Sequence, residues 1–163
     1  MRSSGVFVPY VPSPIPVVRK MLELAKVGPG DVVYDLGCGD GRILIAAVKE
    51  FGAKKAIGIE RREDLIKEAK RKIEEEGLSD RIEIIPGDMF EVPIKDATVV
   101  TLFLLPSVND LLKPKLLREL KSGVRIVSHE FRISGWKPIA EVEVHEGYVR
   151  HKLYLYVIGE SNI

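Results

Sequence analysis

Apolar and polar positions follow two different periods along this chain, and the two periods alternate. Short runs rich in β-branched and aromatic residues predict strands at about residues 31–36, 54–59, 81–85, 96–104 and 123–129. Stretches with apolar residues every three or four positions predict helices at about residues 14–27, 43–51, 61–76 and 106–120. Pro114 falls inside the last helix, where a proline favours an interruption. The order of elements favours a parallel sheet with helices on both faces.

The N-terminal residues are expected to be extended, because prolines at positions 9, 12 and 14 are incompatible with a continuous helix. This segment is too apolar for a free tail. We therefore expect residues 1–27 to form an extended segment and a helix that pack on the core. Ser13 is the expected cap of this helix, with Pro14 at its first position.

The end of the chain departs from the strand–helix order. Alternating runs at residues 139–144 and 149–158 predict a β-hairpin that adds at least one antiparallel strand. His145 and His151 flank its turn, where they could face each other. No metal site is expected there, because no third ligand is apparent. No boundary or repeat interrupts the chain, so residues 1–163 are predicted to form a single domain.

The richest chemical signal is the junction between the first strand and its helix. Asp35 closes the strand, and Gly37, Gly39 and Gly41 follow at alternate positions. A glycine turn between strand and helix brings bare backbone N–H groups up to a ligand and allows φ above zero. The junction therefore predicts a site for a nucleotide-like cofactor.

The next two strands also end in acids. Glu60 follows the second strand, about 20 residues beyond the turn, where a carboxylate can accept hydrogen bonds from both ribose hydroxyls. Asp88 follows the third strand, where it can accept from the adenine amine while Met89 packs on the ring. For one such acid alone, an ordinary exposed residue is as good an explanation as a binding residue. Three acids in register with a glycine turn favour a binding site.

The details of the turn argue against two common nucleotide sites. A dinucleotide fingerprint has the spacing G-x-G-x-x-G, but here the third glycine comes one residue early and Arg42 stands in the expected place. No G-K-[ST] follows, which excludes a P-loop. Asp35 and Asp40 flank the turn with negative charge, and this charge suits a cationic amino-acid group better than a diphosphate.

Composition and charge narrow the classes of function further. The formal net charge of +1 gives no strong electrostatic footprint for nucleic acid. The single cysteine, Cys38, excludes an internal disulfide, and no apolar run reaches the roughly 18 residues of a membrane span. A cytoplasmic protein is therefore expected. The absence of glutamine, with only two asparagines, is the bias expected of proteins from hot environments.

Residues 33–41, together with Glu60 and the Gly87-Asp88 pair, resemble the seven-stranded S-adenosylmethionine-dependent methyltransferases. The resemblance spans about residues 14–130. It implies an α/β three-layer sandwich, in which a Rossmann-like, seven-stranded and mostly parallel sheet has its last strand antiparallel. It also implies an enzyme whose cofactor is S-adenosyl-L-methionine.

The same resemblance implies a set of cofactor-binding residues. These are Asp35, Gly37, Cys38, Gly39, Gly41, Glu60, Arg61, Asp88 and Met89. The three glycines would line the methionine part of the cofactor, with Asp35 near its amino group. Glu60 would bind the ribose, and Asp88 with Met89 would lie at the adenine. Cys38 is expected to be a small buried filler rather than a nucleophile.

A narrower resemblance rests on residues 10–14, 101–106 and 123–131. These segments are similar to small archaeal protein-lysine methyltransferases, which are relatives of the mitochondrial enzyme that methylates the ATP synthase c-subunit. The implied activity is methylation of lysine side chains in proteins. The implied partner is a protein with an accessible lysine.

A lysine nucleophile must be neutral when it attacks, although its unperturbed pKa is about 10.4. An apolar or aromatic channel favours the neutral amine by desolvation. Tyr10 and Phe103 are aromatic residues predicted near the carboxyl edge of the sheet, where they could also contact a cation. Ordinary core packing is the competing interpretation of both. No metal is expected, because the sulfonium loses its charge as it reacts.

Two other classes of function stay open. A methyltransferase acting on a small molecule or on RNA would share the cofactor site, and a cluster of Lys and Arg at the site mouth would favour RNA. Residues 101–105 stand where an Asn-Pro-Pro-Tyr-like motif would clamp a planar amide, which disfavours base amines. A non-catalytic cofactor-binding or scaffold protein would keep the fold without turnover, but the intact turn and acids argue against it.

Overall fold

The structure is a computed structural model that describes residues 10–162. The part of the predicted extended segment that precedes Tyr10 lies outside the described residues. The helices are α1 (Ile15–Leu24), α2 (Arg42–Lys49), α3 (Glu63–Glu75) and α4 (Pro106–Glu119). The strands are β1 (Val32–Leu36), β2 (Lys55–Glu60), β3 (Ile82–Pro86), β4 (Val99–Leu102), β5 (Arg125–His129), β6 (Ala140–Glu146) and β7 (Val149–Val157).

The strands form one seven-stranded sheet in the order β3-β2-β1-β4-β5-β7-β6. The pairs from β3 across to β5 are parallel, and β7 is antiparallel to both β5 and β6. The predicted fold class is confirmed, including the antiparallel last strand. Among the described residues, no helix is both long enough and apolar enough to cross a bilayer.

Alternation along the strands divides the core into two layers. In β1, Val33 faces the layer that contains α1, α2 and α3, whereas Tyr34 faces the layer that contains α4. Successive strand residues point to opposite faces, so a strand covered on both faces is apolar almost throughout. Because β1, β2, β4 and β5 run parallel, their carboxyl ends meet at one edge of the sheet.

Two predicted boundaries differ from the structure because of tertiary packing. Strand β4 is shorter than predicted, since its pairing with β1 ends at Leu102 opposite Leu36 and the chain then leaves the sheet. Helix α4 continues through Pro114 without interruption. The buried side chains of Leu112 and Leu116, one on each side of this proline, hold the helix on the sheet.

The predicted cap of α1 was wrong. The N-cap position is Pro14, and no side chain in the described part of the chain caps this helix. The hydroxyl of Ser13 lies 2.8 Å from Nδ1 of His129 at the end of β5. A buried hydroxyl needs a hydrogen-bonding partner, and here that partner is 116 residues away in the sequence.

Replacing Gly58 with alanine is expected to lower the free energy of unfolding by about 1–3 kcal/mol, because the added methyl group overpacks the core. A Cβ on Gly58, in the middle of β2, would lie 2.5 Å from the Cys38 sulfur and 2.6 Å from Cδ1 of Leu44. Urea unfolding measures this loss. The matched control is Gly28→Ala, since a Cβ there has nothing within 4 Å. Equal unfolding midpoints for the two variants would contradict the packing described.

Candidate active site

The glycine turn between β1 and α2 has the conformation that only glycine adopts without strain. Gly37, Gly39 and Gly41 have φ of +82°, +56° and +83°. The N–H groups of Gly37 and Cys38 both donate to the carbonyl of Ile59, which ties the turn to the end of β2. A Cβ on Gly39 would lie 2.5 Å from the Tyr10 ring, so this face of the turn accepts no side chain of its own.

Glu60, at the end of β2, holds the turn directly. Its Oε1 accepts a hydrogen bond of 2.8 Å from the backbone N–H of Gly39. Its Oε2 accepts from the N–H groups of Arg61 and Arg62 at 3.1 and 3.0 Å. A carboxylate offers about four lone-pair positions, so one remains for a further donor such as a sugar hydroxyl. The contact with Gly39 was missed in the sequence, because a spacing of 21 residues does not show which way a side chain turns.

Asp35 is buried at the end of β1 and accepts a hydrogen bond of 2.9 Å from the Thr101 hydroxyl. Burial raises the pKa of Asp35 to about 7. The Thr101 hydrogen bond lowers this pKa, whereas the charges of Glu60 and Asp40 raise it. An acid in this state gains from a cationic partner, which favours its ionised form.

The charge of the Asp40 carboxylate is balanced by two cations within the protein. It accepts from Arg42 Nη2 at 2.9 Å and from Lys72 Nζ at 2.7 Å. Burial acts to raise the pKa of Asp40, but the hydrogen bonds and charges of the two cations outweigh it and hold the pKa well below its usual range. The side chain therefore ties the start of α2 to α3 as a carboxylate.

The remaining predicted cofactor residues line the same edge of the sheet. The Asp88 carboxylate accepts from the N–H of Phe90 at 2.8 Å, and the Met89 methyl group lies 3.5 Å from where a Cβ of Gly37 would be. Arg61 is exposed immediately after β2. Burial raises the pKa of the Cys38 thiol, so Cys38 packs as an uncharged side chain.

Tyr10 and Phe103 contact different parts of the site. The Tyr10 ring covers Gly39, and its hydroxyl accepts from the N–H of Asp40 at 3.3 Å. The Phe103 ring lies 4.0 Å from the imidazole of His129 between ring centroids. The structure thus places both aromatic residues at the carboxyl edge of the sheet, one on the glycine turn and one on β5.

The expected pairing of His145 with His151 was wrong. In the hairpin His145 is opposite Arg150, and His151 is opposite Val144. Neighbouring strand residues point to opposite faces, so the two histidines lie on different sides of the sheet. His151 instead contacts His129, with 2.9 Å between His151 Nδ1 and His129 Nε2. This contact crosses from β7 to β5 and has no signal in the local sequence.

The geometry of the turn fits S-adenosyl-L-methionine. A glycine turn with positive φ at three positions, a buried acid whose ionised form gains from a cation, and carboxylates at the ends of β2 and β3 lie together at one edge of the sheet. Arg42, at the expected diphosphate position, is committed to Asp40. The chain therefore offers acceptors where a dinucleotide would need donors.

Comparison with known proteins agrees with this geometry. A protein-lysine N-methyltransferase from Saccharolobus islandicus (strain REY15A) is 58% identical over 153 residues, covering 94% of this chain and 95% of that protein. The mouse adenine nucleotide translocase lysine N-methyltransferase is 38% identical over 135 residues, which cover 83% of this chain. The chain spans only 58% of the length of that mouse protein.

Among solved structures, an RNA methyltransferase from Salinibacter ruber in complex with S-adenosyl-L-homocysteine superposes with a TM-score of 0.85 at 48% identity. The match covers 91% of this chain and 94% of that one. Residues 35–140 match the family model described as the ANTKMT methyltransferase domain. The prediction of a methyltransferase with this cofactor is confirmed, and the chain belongs to the ANTKMT methyltransferase domain family.

Proposed function

We propose that this protein transfers a methyl group from S-adenosyl-L-methionine to the side-chain amine of lysine in other proteins. The 58% identity with a protein-lysine N-methyltransferase, over nearly the full length of both chains, carries the proposal. The aromatic surface beside the glycine turn supports it, because a lysine amine must lose its charge before it attacks.

The cofactor residues divide by the part of the ligand they would hold. Asp35 and the three glycines of the turn would hold the methionine part, with Cys38 packed beneath. Glu60 and Arg61 would bind the ribose, and Asp88 with Met89 would bind the adenine. When bound, the cofactor supplies an electrophilic methyl group on a sulfonium. The protein's contribution is then to align the amine about 3 Å from that methyl group and to exclude water.

The rim of the site suits a polypeptide more than an enclosed metabolite. Large apolar side chains border the glycine turn and the ends of β3 and β4, and they are exposed by 37% at Tyr10, 60% at Val11, 37% at Phe90 and 51% at Leu105. Exposed apolar groups around a reaction centre provide contacts for a protein substrate. We infer that the lysine enters between Tyr10 and Phe103.

RNA is the second candidate substrate, because the similar Salinibacter ruber structure is described as an RNA methyltransferase. Two observations favour protein. The net charge of +1 provides little attraction for a phosphate backbone. The residues after β4 are Phe103-Leu104-Leu105, which offer no polar side chain to clamp a base.

The decisive experiment incubates the protein with radiolabelled S-adenosyl-L-methionine and a cell extract. We expect label in material that nuclease leaves and protease removes, and methyllysine after acid hydrolysis. Label removed by nuclease would identify RNA as the substrate, and label only in small solutes would identify a metabolite. Calorimetric binding without any transfer would identify a non-catalytic cofactor-binding protein.

We also propose that the protein is a single methyltransferase domain that acts in the cytoplasm of an organism from a hot environment. The buried free thiol of Cys38 supports a reducing compartment. The absence of glutamine, the two asparagines and the many Lys, Arg and Glu residues support the hot environment.

A further inference from the structure

A continuous line of hydrogen-bonding groups leads from the glycine turn to the far hairpin. The Ser13 hydroxyl lies 2.8 Å from Nδ1 of His129, and His129 Nε2 lies 2.9 Å from Nδ1 of His151. His151 Nε2 is buried, has no hydrogen-bonding partner among residues 10–162, and lies 3.9 Å from a carboxylate oxygen of Glu146. The cofactor contacts described above use none of these groups.

The inner end of this line lies beside the glycine turn, next to the region between Tyr10 and Phe103 where we infer that the lysine enters. The Ser13 carbonyl accepts from Arg42 at 3.1 Å, so this serine is fixed to the first residue of α2. His129 is buried and stacks on Phe103. Ser13 and His129 therefore connect the glycine turn with the Phe103 ring, which follows β4.

We propose that Ser13, His129 and His151 form a relay that carries the proton of the incoming lysine ammonium out of the active site. The inference rests on the proposed lysine methylation and adds the path by which its nucleophile becomes neutral. An apolar pocket lowers the pKa of a lysine, but the released proton still needs an acceptor that reaches water.

One proton leaves the lysine ammonium, and Ser13, His129 and His151 are each uncharged before and after it passes. The lysine ammonium gives its proton to the Ser13 oxygen as the Ser13 hydroxyl proton passes to His129 Nδ1. His129 then passes its Nε2 proton to His151 Nδ1. His151 passes its Nε2 proton to the Glu146 carboxylate, whose half-exposed side chain must first turn to close the 3.9 Å between them, and Glu146 gives the proton to water. The lysine is left as a neutral amine whose lone pair attacks the methyl carbon. The imidazoles return to their first tautomers before the next substrate.

The surroundings of the two histidines suit this role. Burial and the neighbouring His151 lower the pKa of His129 to about 4, which keeps it uncharged at neutral pH. An uncharged imidazole has one donor and one acceptor nitrogen, as a relay requires. The carboxylates that face the pair are Glu130, at the end of β5, and Glu146, on β6.

Two imidazole nitrogens this close either share a proton or bind one metal ion. Two nitrogen ligands of a tetrahedral zinc, each about 2.0–2.1 Å from it, would lie roughly 3.3 Å apart with both lone pairs aimed at the ion. The His129 and His151 nitrogens are 2.9 Å apart and meet hydrogen-bond geometry. A carboxylate oxygen of Glu130 lies within 4.8 Å of a nitrogen of each imidazole, so a chelator and zinc belong in the experiment.

The test compares single-turnover methylation of poly-L-lysine at saturating concentration by the wild-type protein and by His151→Ala and Ser13→Ala. Without the relay, bound lysine ammonium cannot deprotonate in place, and at pH 7.5 only about one lysine in 800 in solution is neutral. We expect a rate about 10–100-fold lower at pH 7.5. The deficit should shrink as pH rises toward 10, and imidazole should partly restore His151→Ala.

His145→Ala, a histidine on the other side of the same hairpin, is the matched control and should keep the wild-type profile. Binding of S-adenosyl-L-homocysteine should be unchanged in all variants. Imidazole NMR of the wild-type protein should show His129 uncharged from pH 5 to 8, a readout that needs no turnover.

Four results would overturn the relay alone: an unchanged rate, a deficit equal at every pH, a His129 that titrates near its ordinary pKa, or a wild-type rate abolished by chelator and restored by zinc. A wild-type protein that labels neither poly-L-lysine nor any protein in the extract would refute lysine methylation, and the relay with it.

Discussion

Replacing Glu60 with alanine is expected to weaken binding of S-adenosyl-L-methionine by about ten- to 150-fold, or about 1.5–3 kcal/mol. Two losses combine in this variant. A ribose hydroxyl loses a charged acceptor, and the N–H of Gly39 loses the 2.8 Å hydrogen bond that holds the turn in its binding conformation. Isothermal titration calorimetry measures the change in affinity.

Two further variants separate these losses. Glu60→Gln keeps an acceptor for the Gly39 N–H but removes the charge, so its affinity should lie between those of wild type and Glu60→Ala. Glu63→Ala removes a nearby exposed acid in the first turn of α3 and should bind as the wild type does. Unchanged affinity in Glu60→Ala would mean that the ribose lies elsewhere.

Replacing Asp40 with alanine is expected to lower the free energy of unfolding at pH 7 by about 2–4 kcal/mol, because it leaves Arg42 and Lys72 beside each other without their shared carboxylate. The Asp40 side chain is 7% exposed, whereas Arg42 and Lys72 are 27% and 33% exposed. The two cations therefore recover part of their hydration, which limits the loss. Urea unfolding gives the difference.

The loss should depend on pH in a defined direction. The pKa of Asp40 in the folded protein is held below its value in the unfolded chain, which is about 3.9. Its stabilisation is therefore complete above about pH 4 and is lost as the pH falls further. The wild type and Asp40→Ala should approach each other in acid. Asp64→Ala, which breaks an exposed pair with Arg62, is the control and should change stability little.

Local pattern was sufficient for most elements and for the nature of the cofactor site. The glycine turn, Glu60 and Asp88 each follow a strand, and parallel strands bring their carboxyl ends to one edge, so sequence order alone placed them together. Boundaries that depend on pairing were less predictable. The end of β4 is set by the length of β1, and the continuity of α4 through Pro114 is set by buried leucines on both sides.

The candidate site was predictable where its residues are near in sequence or belong to one motif. The sequence did not predict that the Asp40 carboxylate is paired with two cations, because one of them, Lys72, reaches it from α3, 32 residues further along. The same holds for the pKa of Asp35, which burial raises and which the hydrogen bond from Thr101 on the neighbouring strand lowers. The spacing of residues along a chain does not show which charged side chains already form ion pairs in the folded protein.

The sequence by itself determined the class of fold and the cofactor, because hydrophobic period and glycine position act over a few residues. Only the tertiary structure decided which side chains meet beside the glycine turn at the ends of β4 and β5. The hydrogen bonds that join His129, at the end of β5, to Ser13 near the start of the chain and to His151 on β7 exist only once the sheet has formed. The same is true of the contact between the His129 ring and Phe103, which follows β4. Long-range pairing replaced the predicted helix cap at Ser13 and the predicted partner of His151, since each buried polar group bonds to what lies nearest in space.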